Sequence, residues 1–231
     1  AELAAATNFS FLRGASHPHE MVETAAALGL DAVAVADRNT LAGVVRAHLA
    51  ARDAGIRLLV GARLVTLEGP EIICLPKTRE AYGRLSRLLS DANFRMDADA
   101  GERQPPVTLE DALQAGPDQV LVLMPPDEPG CAGQDDKNGW LDHARRFVAK
   151  SRSPVHLALV RRFDGSDGER LHRLDAAAAE LGIATVAVSD ALFHAPERRE
   201  LADIVTCIRE HVRIEAAGYR LEANAERHLK P

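Results

Sequence analysis

Short apolar segments alternate with longer segments of helical periodicity along most of this sequence. Residues 30–36 (LDAVAVA) are typical of a buried strand, and residues 41–54 repeat apolar side chains at helical spacing until Gly55. Strands that alternate with helices through short glycine turns are typical of parallel βαβ units. The alternation therefore predicts an α/β fold. Six or seven such units favour a barrel over an open sheet, although periodicity alone leaves both architectures open.

The same periodicity predicts the other elements. Further strands are expected at 57–67, 70–75, 119–124, 155–160 and 183–188, and further helices at about 16–28, 78–92, 141–150, 168–181 and 197–210. Two polar segments rich in proline or glycine, 93–106 and 125–139, are predicted loops. Thr108 and Asp111 have the spacing of a capping box at a helix start.

Composition limits the class of protein. Hydrophobic residues make up 46% of the 231 residues, enough for a sizeable core, and the formal net charge of −6 is unusual for a surface that grips nucleic-acid phosphates. Three widely spaced cysteines form no CxxC pair, so we expect a reducing, cytoplasmic setting. Neither a membrane span nor a signal peptide is expected, because there is no long apolar run and no basic leader.

The strand ends predict where polar chemistry would be found. In barrels of parallel strands, functional groups lie at the carboxyl ends of the strands. That rule selects residues 8–10 after the first strand, residues 37–39 after the second, residues 61–63 in the third, and Asp190 after the last.

Several blocks of the sequence resemble one known family. They are residues 8–16 (NFSFLRGAS), 36–43 (ADRNTLAG), 60–63 (VGAR), 196–203 (PERRELAD), 206–210 (TCIRE) and 220–230 (RLEANAERHLK). In this order they resemble the N-terminal PHP domain of bacterial error-prone DNA polymerases, which belong to the C family with the replicative alpha subunits. The resemblance covers nearly the whole chain and is weak across 97–150. It implies a distorted (β/α)7 barrel of PHP type at 1–195, followed by a final helix and a junction to the polymerase part at 196–231.

The resemblance also implies that most metal ligands of the family are replaced. Metal-binding PHP domains use His-x-His, Asp-His, Glu and Asp-x-His groups. The corresponding positions here are Ala4-Ala5-Ala6, Asp37-Arg38, Arg63 and Asp190-Ala191-Leu192, with a further histidine position near Arg162. The predicted vestigial pocket therefore comprises Asn8, Asp37, Arg38, Arg63, Arg162 and Asp190. Its two carboxylates lack imidazole partners, so neither a metal, a cofactor nor a catalytic residue is expected in this segment.

Arginine can take over part of the electrostatic role of a lost metal. Its guanidinium stays protonated and has no lone pair to offer, so it cannot act as a ligand. It can instead supply the positive charge that keeps two carboxylates from repelling each other. We therefore expect Arg38 or Arg63 to neutralise Asp37 and Asp190.

One other motif has the spacing of a ligand pair. His17-Pro18-His19 is an HxH sequence, but it precedes a predicted helix rather than following a strand. The favoured interpretation is the start of a surface helix with a solvated His19.

Three functions from different classes remain open. The first is a non-catalytic scaffold domain of an error-prone, translesion DNA polymerase, with synthesis carried by regions absent from this chain. Its partners would be those polymerase domains, DNA through the parent polypeptide, and other translesion proteins. The alternatives are a metal-dependent phosphoesterase or 3′–5′ exonuclease domain, and a standalone interaction module. The polymerase-like blocks after residue 195 favour the first over the third.

Overall fold

The computed structural model describes residues 1–96, 105–126 and 139–231. Its strands are β1 (Glu2–Ala5), β2 (Ala32–Arg38), β3 (Arg57–Val65), β4 (Glu71–Pro76), β5 (Gln119–Met124), β6 (Val155–Val160) and β7 (Ala184–Val188). Its α-helices are α1 (Pro18–Ala27), α2 (Val44–Ala54), α3 (Arg79–Arg95), α4 (Leu109–Ala115), α5 (Trp140–Lys150), α6 (Asp167–Leu181) and α7 (Arg199–Glu210). The predicted α/β fold is confirmed.

The strands form one sheet in the order of the sequence, from β1 to β7. β1 with β2 and β5 with β6 are parallel, as the alternation predicted. The expectation of parallel strands throughout is wrong for β4, which is antiparallel to both β3 and β5. The cause is the short turn around Gly69, because antiparallel strands can be joined by a tight turn whereas parallel ones need a long crossover. The hairpin of β3 and β4 also requires a glycine at position 61, because an ideal Cβ there would lie only 2.8 Å from the carbonyl oxygen of Cys74.

The chain divides into two compact units. The first contains Ala1–Val60, Arg161–Asp167 and Val188–Pro231, and the second contains Gly61–Val160 and Gly168–Ala187. In the first unit, Val33 and Val35 of β2 share a fully buried cluster with Met21 and Val22 of α1 and Ala47 of α2. Each large side chain in such a cluster contributes roughly 1.5–3 kcal/mol through burial. This core fixes the ends of β1 and β2.

Local capping explains where several helices begin. The backbone N–H of Thr108 donates to Asp111, whose own N–H donates to Thr108 Oγ1 at 3.1 Å, so the predicted capping box is confirmed. His17 precedes α1, and its N–H donates to Glu20. The His17 and His19 rings stack at the exposed helix start, which agrees with the favoured interpretation of this HxH motif.

Some predicted boundaries were shifted. α2 begins at Val44 rather than 41, after a turn that ends at Gly43, and the predicted final helix opens with a 3-10 turn at Pro196–Arg198 before α7. α3 continues to Arg95, so the predicted loop at 93–106 begins later. Most of that loop and of the loop at 125–139 lies outside the described residues. In the described ranges, no helix is both long and apolar enough to cross a membrane.

Candidate functional site

The segment after β1 lies between the two candidate carboxylates. The N–H of Ala6 donates to the carbonyl oxygen of Ala191 at 2.9 Å, and the N–H of Thr7 donates to Asp37 Oδ1 at 2.7 Å. Ala191 follows Asp190 directly in the chain. Consecutive residues at the end of β1 therefore contact the Asp37 loop and the Asp190 loop, which places both carboxylates beside this strand end.

Asp37 lies at the end of β2 and is 1% exposed. Its carboxylate accepts three hydrogen bonds, from the Thr7 N–H, from Thr7 Oγ1 at 2.8 Å and from Ser10 Oγ at 2.6 Å. Burial raises the pKa of Asp37, and the hydrogen bonds from Ser10 and Thr7 oppose that rise only in part. The carboxyl group is thus held in a small cage of short polar side chains.

The predicted arginine counter-charge for Asp37 stays a prediction. The hydrogen bonds described for this carboxylate come from hydroxyl and amide groups. Arg38 is half-buried, and its backbone N–H donates to Ser10 Oγ at 3.1 Å. The turn after β1 brings Thr7 and Ser10 directly onto the end of β2.

Asp190 does have arginine partners. Its Oδ2 lies 2.5 Å from the Arg227 guanidinium and 3.6 Å from that of Arg162, and its side chain is 2% exposed. Arg227 also donates from Nε to the Asp190 carbonyl oxygen and from Nη1 to Glu222 at 3.0 Å. The backbone of Asp190 is left-handed, with φ at 51°, a strained conformation for a residue with a side chain. Two guanidinium groups therefore surround this carboxylate.

The other predicted site residues lie in different surroundings. Asn8 is exposed, and its N–H donates to the carbonyl oxygen of Ser16. Arg63 lies on β3 in the second compact unit, is 6% exposed, and forms an ion pair with Glu71 at 3.4 Å. Arg63 has thus acquired a carboxylate partner on the neighbouring strand of its own hairpin.

Two buried groups were missed by the sequence reasoning. Arg227 lies in the block at 220–230 and is 37 residues from its carboxylate partner, so no local pattern marks it. Glu2 on β1 is 3% exposed and accepts hydrogen bonds from Ala4 and Ser189. Burial raises the pKa of Glu2, and the nearby negative charge of Asp190 raises it further. Glu2 could have been found from the sequence, because a charged residue at the start of a buried strand indicates a buried polar contact.

The residues at the family's ligand positions do not fit a metal cluster. Ala4 and Ala6 are buried and carry no ligand atom, Leu192 is aliphatic, and a guanidinium offers no lone pair. Across the described part of the chain, no group of three or more His, Cys, Asp or Glu side chains is arranged to hold a metal ion. The arrangement holds the Asp190 carboxylate against the guanidinium groups of Arg227 and Arg162.

Two solved structures have a fold similar to that of this chain. The chain is similar to a putative metal-dependent phosphoesterase from Bifidobacterium adolescentis, with a TM-score of 0.61 and 18% identity over 82% of this chain and 86% of that one. It is also similar to an amidohydrolase from Chromobacterium violaceum, with a TM-score of 0.57 and 18% identity over 83% of this chain and 87% of the other. At these identities the likeness concerns the fold alone, an α/β domain with a mixed seven-stranded sheet.

Sequence comparison identifies the family within this class. The sequence model of the PHP domain matches residues 2–151, and the chain belongs to the PHP domain family. The error-prone DNA polymerase of Caulobacter vibrioides is 46% identical over all 231 residues, which correspond to 20% of that protein. The error-prone DNA polymerase of Brucella abortus is 43% identical over 235 aligned residues, covering this whole chain and 21% of that protein. The predicted family is thus confirmed, and the chain spans about a fifth of the length of these relatives.

Proposed function

We propose that this chain is the non-catalytic PHP scaffold domain of an error-prone DNA polymerase that acts in translesion synthesis during DNA replication and repair. The nucleotidyltransferase reaction would be carried by parts of the polypeptide outside these 231 residues. Residues 1–195 would form the PHP domain, and residues 196–231 would lead into the polymerase part.

The relatives support the polymerase assignment. Two proteins named error-prone DNA polymerase align with the entire chain at 43–46% identity, and in each the aligned part is about a fifth of the protein. DNA synthesis by a two-metal mechanism needs clustered aspartates. Asp37 and Asp190 each have neutralising or hydrogen-bonding partners and form no such cluster with a third carboxylate in the described residues.

The single observation that carries the non-catalytic assignment is the environment of Asp190. In a metal-dependent phosphoesterase, carboxylate and imidazole groups hold a metal that activates water. Asp190 is instead in contact with Arg227 and Arg162, and Ala4 and Ala6 stand at the positions of the family's first histidine pair. The cation that balances this carboxylate is therefore part of the protein.

The proposed partners follow from this role. They are the polymerase domains of the same polypeptide, DNA through those domains, and other translesion proteins, and the proposed location is the cytoplasm. The surface of this chain, with a formal net charge of −6, suits packing against protein better than binding to DNA phosphates.

Primer extension and 3′ trimming by the parent polypeptide test the proposal directly. The parent is the complete gene product that contains this chain. We expect DNA synthesis without metal-dependent trimming, and nearly unchanged synthesis in Asp37→Asn/Asp190→Asn at a temperature where that variant remains folded. A trimming activity in the parent that disappears in the double variant would support the alternative function, a 3′–5′ exonuclease domain. That outcome would agree with the phosphoesterase name of the structural neighbour.

Elemental analysis gives a second, independent test. After dialysis, the purified domain should hold no stoichiometric zinc, manganese or iron, because Asp37 and Asp190 are the only family ligands that remain. Two tightly held ions per chain, measured by mass spectrometry, would contradict the scaffold assignment.

A further inference from the structure

We infer that the exposed apolar face of α7 is the surface on which the polymerase part of the same polypeptide docks. This inference rests on the proposed function, since it requires a polymerase part. It goes further by assigning the contact to one face of one helix, which is called the α7 face below and consists of Leu201, Ile204 and Ile208.

The α7 face is an aliphatic stripe on the outside of the helix. Leu201, Ile204 and Ile208 are 39%, 52% and 55% exposed. Their spacing of three and four residues places them on one side of a helix. Ala202 and Cys207 are the buried residues of the same helix, so α7 already has a face that packs against its own unit. The aliphatic stripe is therefore a second apolar face.

The stripe continues into a groove. A concave surface of about 510 Å³ is lined mainly by the apolar residues Ile204, Cys207, Ile208, Val212 and Ile214, and also by His211 and Arg213. Ile214 is 47% exposed, and Tyr219 of the adjacent 3-10 turn is fully exposed. Single exposed aliphatic residues are common on proteins, but a contiguous apolar groove usually marks a contact surface.

The charge around the groove argues against a nucleic-acid partner. Between residues 199 and 220 the sequence has four arginines and four carboxylates. Arg199 pairs with Asp203 and Arg209 with Glu210, so half of these charges are already compensated within α7. A nucleic-acid site would present an excess of positive charge along the phosphates. The α7 face fits an uncharged, aliphatic protein surface, of the kind that an amphipathic helix presents to a groove.

The length of the relatives identifies the polymerase part as the occupant. This chain corresponds to 20% of the Caulobacter vibrioides polymerase, so about four-fifths of that polypeptide lies outside the matching segment. The three aliphatic side chains of the α7 face are far fewer than the roughly 20–30 residues a side that a stable complex between separate molecules buries. A covalently linked partner needs less area, because the linkage gives it a high effective concentration.

Cysteine labelling in the parent polypeptide tests the inference. Ile204→Cys reports on the α7 face, and Leu49→Cys on α2 is the matched control, because Leu49 is an aliphatic helix residue of similar exposure, 46%. The rate of maleimide labelling is followed for each site by peptide mass spectrometry, so that the native cysteines are quantified separately. We expect labelling at position 204 to be at least tenfold slower than at position 49, and to return to the control rate when Ile208→Asp is added.

Three results would overturn the inference. They are equal labelling at the two sites, slow labelling that recovers on dilution and so reveals a second copy as the occupant, and slow labelling that Ile208→Asp leaves unchanged. Labelling is measured independently of activity, so its outcome is separate from that of the proposed function. A parent that synthesises DNA yet labels freely at position 204 refutes only the docking surface. A parent that is protected at position 204 but trims 3′ ends refutes only the non-catalytic role.

Discussion

The guanidinium of Arg227 lies 2.5 Å from Oδ2 of Asp190, and the side chains of both residues are less than a tenth exposed. Because 37 residues separate them, this ion pair joins the segment at 220–230 to the loop after β7. The pair also neutralises the carboxylate that the resemblance to metal-binding PHP domains places at a ligand position. The contribution of this pair to stability can be measured, since removing Arg227 takes away the nearer of the two cations beside a buried carboxylate.

Arg227→Met should therefore destabilise the protein substantially. We expect a loss of up to about 3–5 kcal/mol in the free energy of unfolding, the usual cost of breaking a buried pair, and a smaller loss to the extent that Arg162, 3.6 Å from Asp190, still neutralises the carboxylate. Arg145→Met is the matched control, because Arg145 is half exposed in its ion pair with Asp142 and should cost about 0–1 kcal/mol. The double variant Asp190→Asn/Arg227→Met should recover part of the loss. Equal urea midpoints for the Arg227 and Arg145 variants would show that the buried ion pair contributes no more to stability than the exposed one.

Asp37 should make the stability of the domain depend on pH. Its pKa in the folded state is raised by burial, so the folded protein binds a proton more tightly than the unfolded chain does. The resulting stabilisation is present below the unfolded pKa and is lost as pH rises through the folded value.

The Asp37→Asn variant isolates this contribution. Asn Oδ1 can accept the bonds from Thr7 N–H and Ser10 Oγ that Asp37 Oδ1 accepts now. We expect the stability of the wild type relative to the variant to fall as pH increases above the normal aspartate range. Measuring urea unfolding of both proteins across that range tests the sign, and a difference that rises with pH would contradict the raised pKa.

A pair of glycines tests the packing around the end of β1. An ideal Cβ at Gly14 would lie 2.0 Å from the carbonyl oxygen of Thr7, whereas a Cβ at Gly83 in α3 would meet no atom within 4 Å. Gly83→Ala should stabilise the helix by about 0.5–1 kcal/mol, because alanine has the higher helix propensity. Gly14→Ala should lower the melting temperature, since the backbone that positions Thr7 beside Asp37 must move. Two variants that both melt at or above the wild-type temperature would show that the turn at Gly14 adapts freely.

The sequence predicted more of the fold than of the site, and the reason is the range of the interactions involved. The strand at 30–36 and the capping box at Thr108 are specified by residues within a few positions of one another, and both are present in the structure. Asp37 and Asp190 were selected because strand ends carry polar groups in this fold. Their partners could not be derived in the same way. The choice of Thr7 for Asp37 and of Arg227 for Asp190 depends on how loops far apart in the chain pack together, and no periodicity records that packing.

Arg63 provides a last test, in the second compact unit. Its side chain is 7% exposed and pairs with Glu71 on the neighbouring strand, so replacing it with a carboxylate would set two negative charges side by side in a poorly hydrated position. Arg63→Ala should cost about 1–3 kcal/mol, the penalty for leaving a largely buried polar group without its partner. Arg63→Glu should cost more, and the exchange Arg63→Glu/Glu71→Arg should restore part of the loss because it returns opposite charges to the two strands. Thermal unfolding of the three variants tests this order, and an unchanged melting temperature in Arg63→Glu would refute an electrostatic role for this arginine.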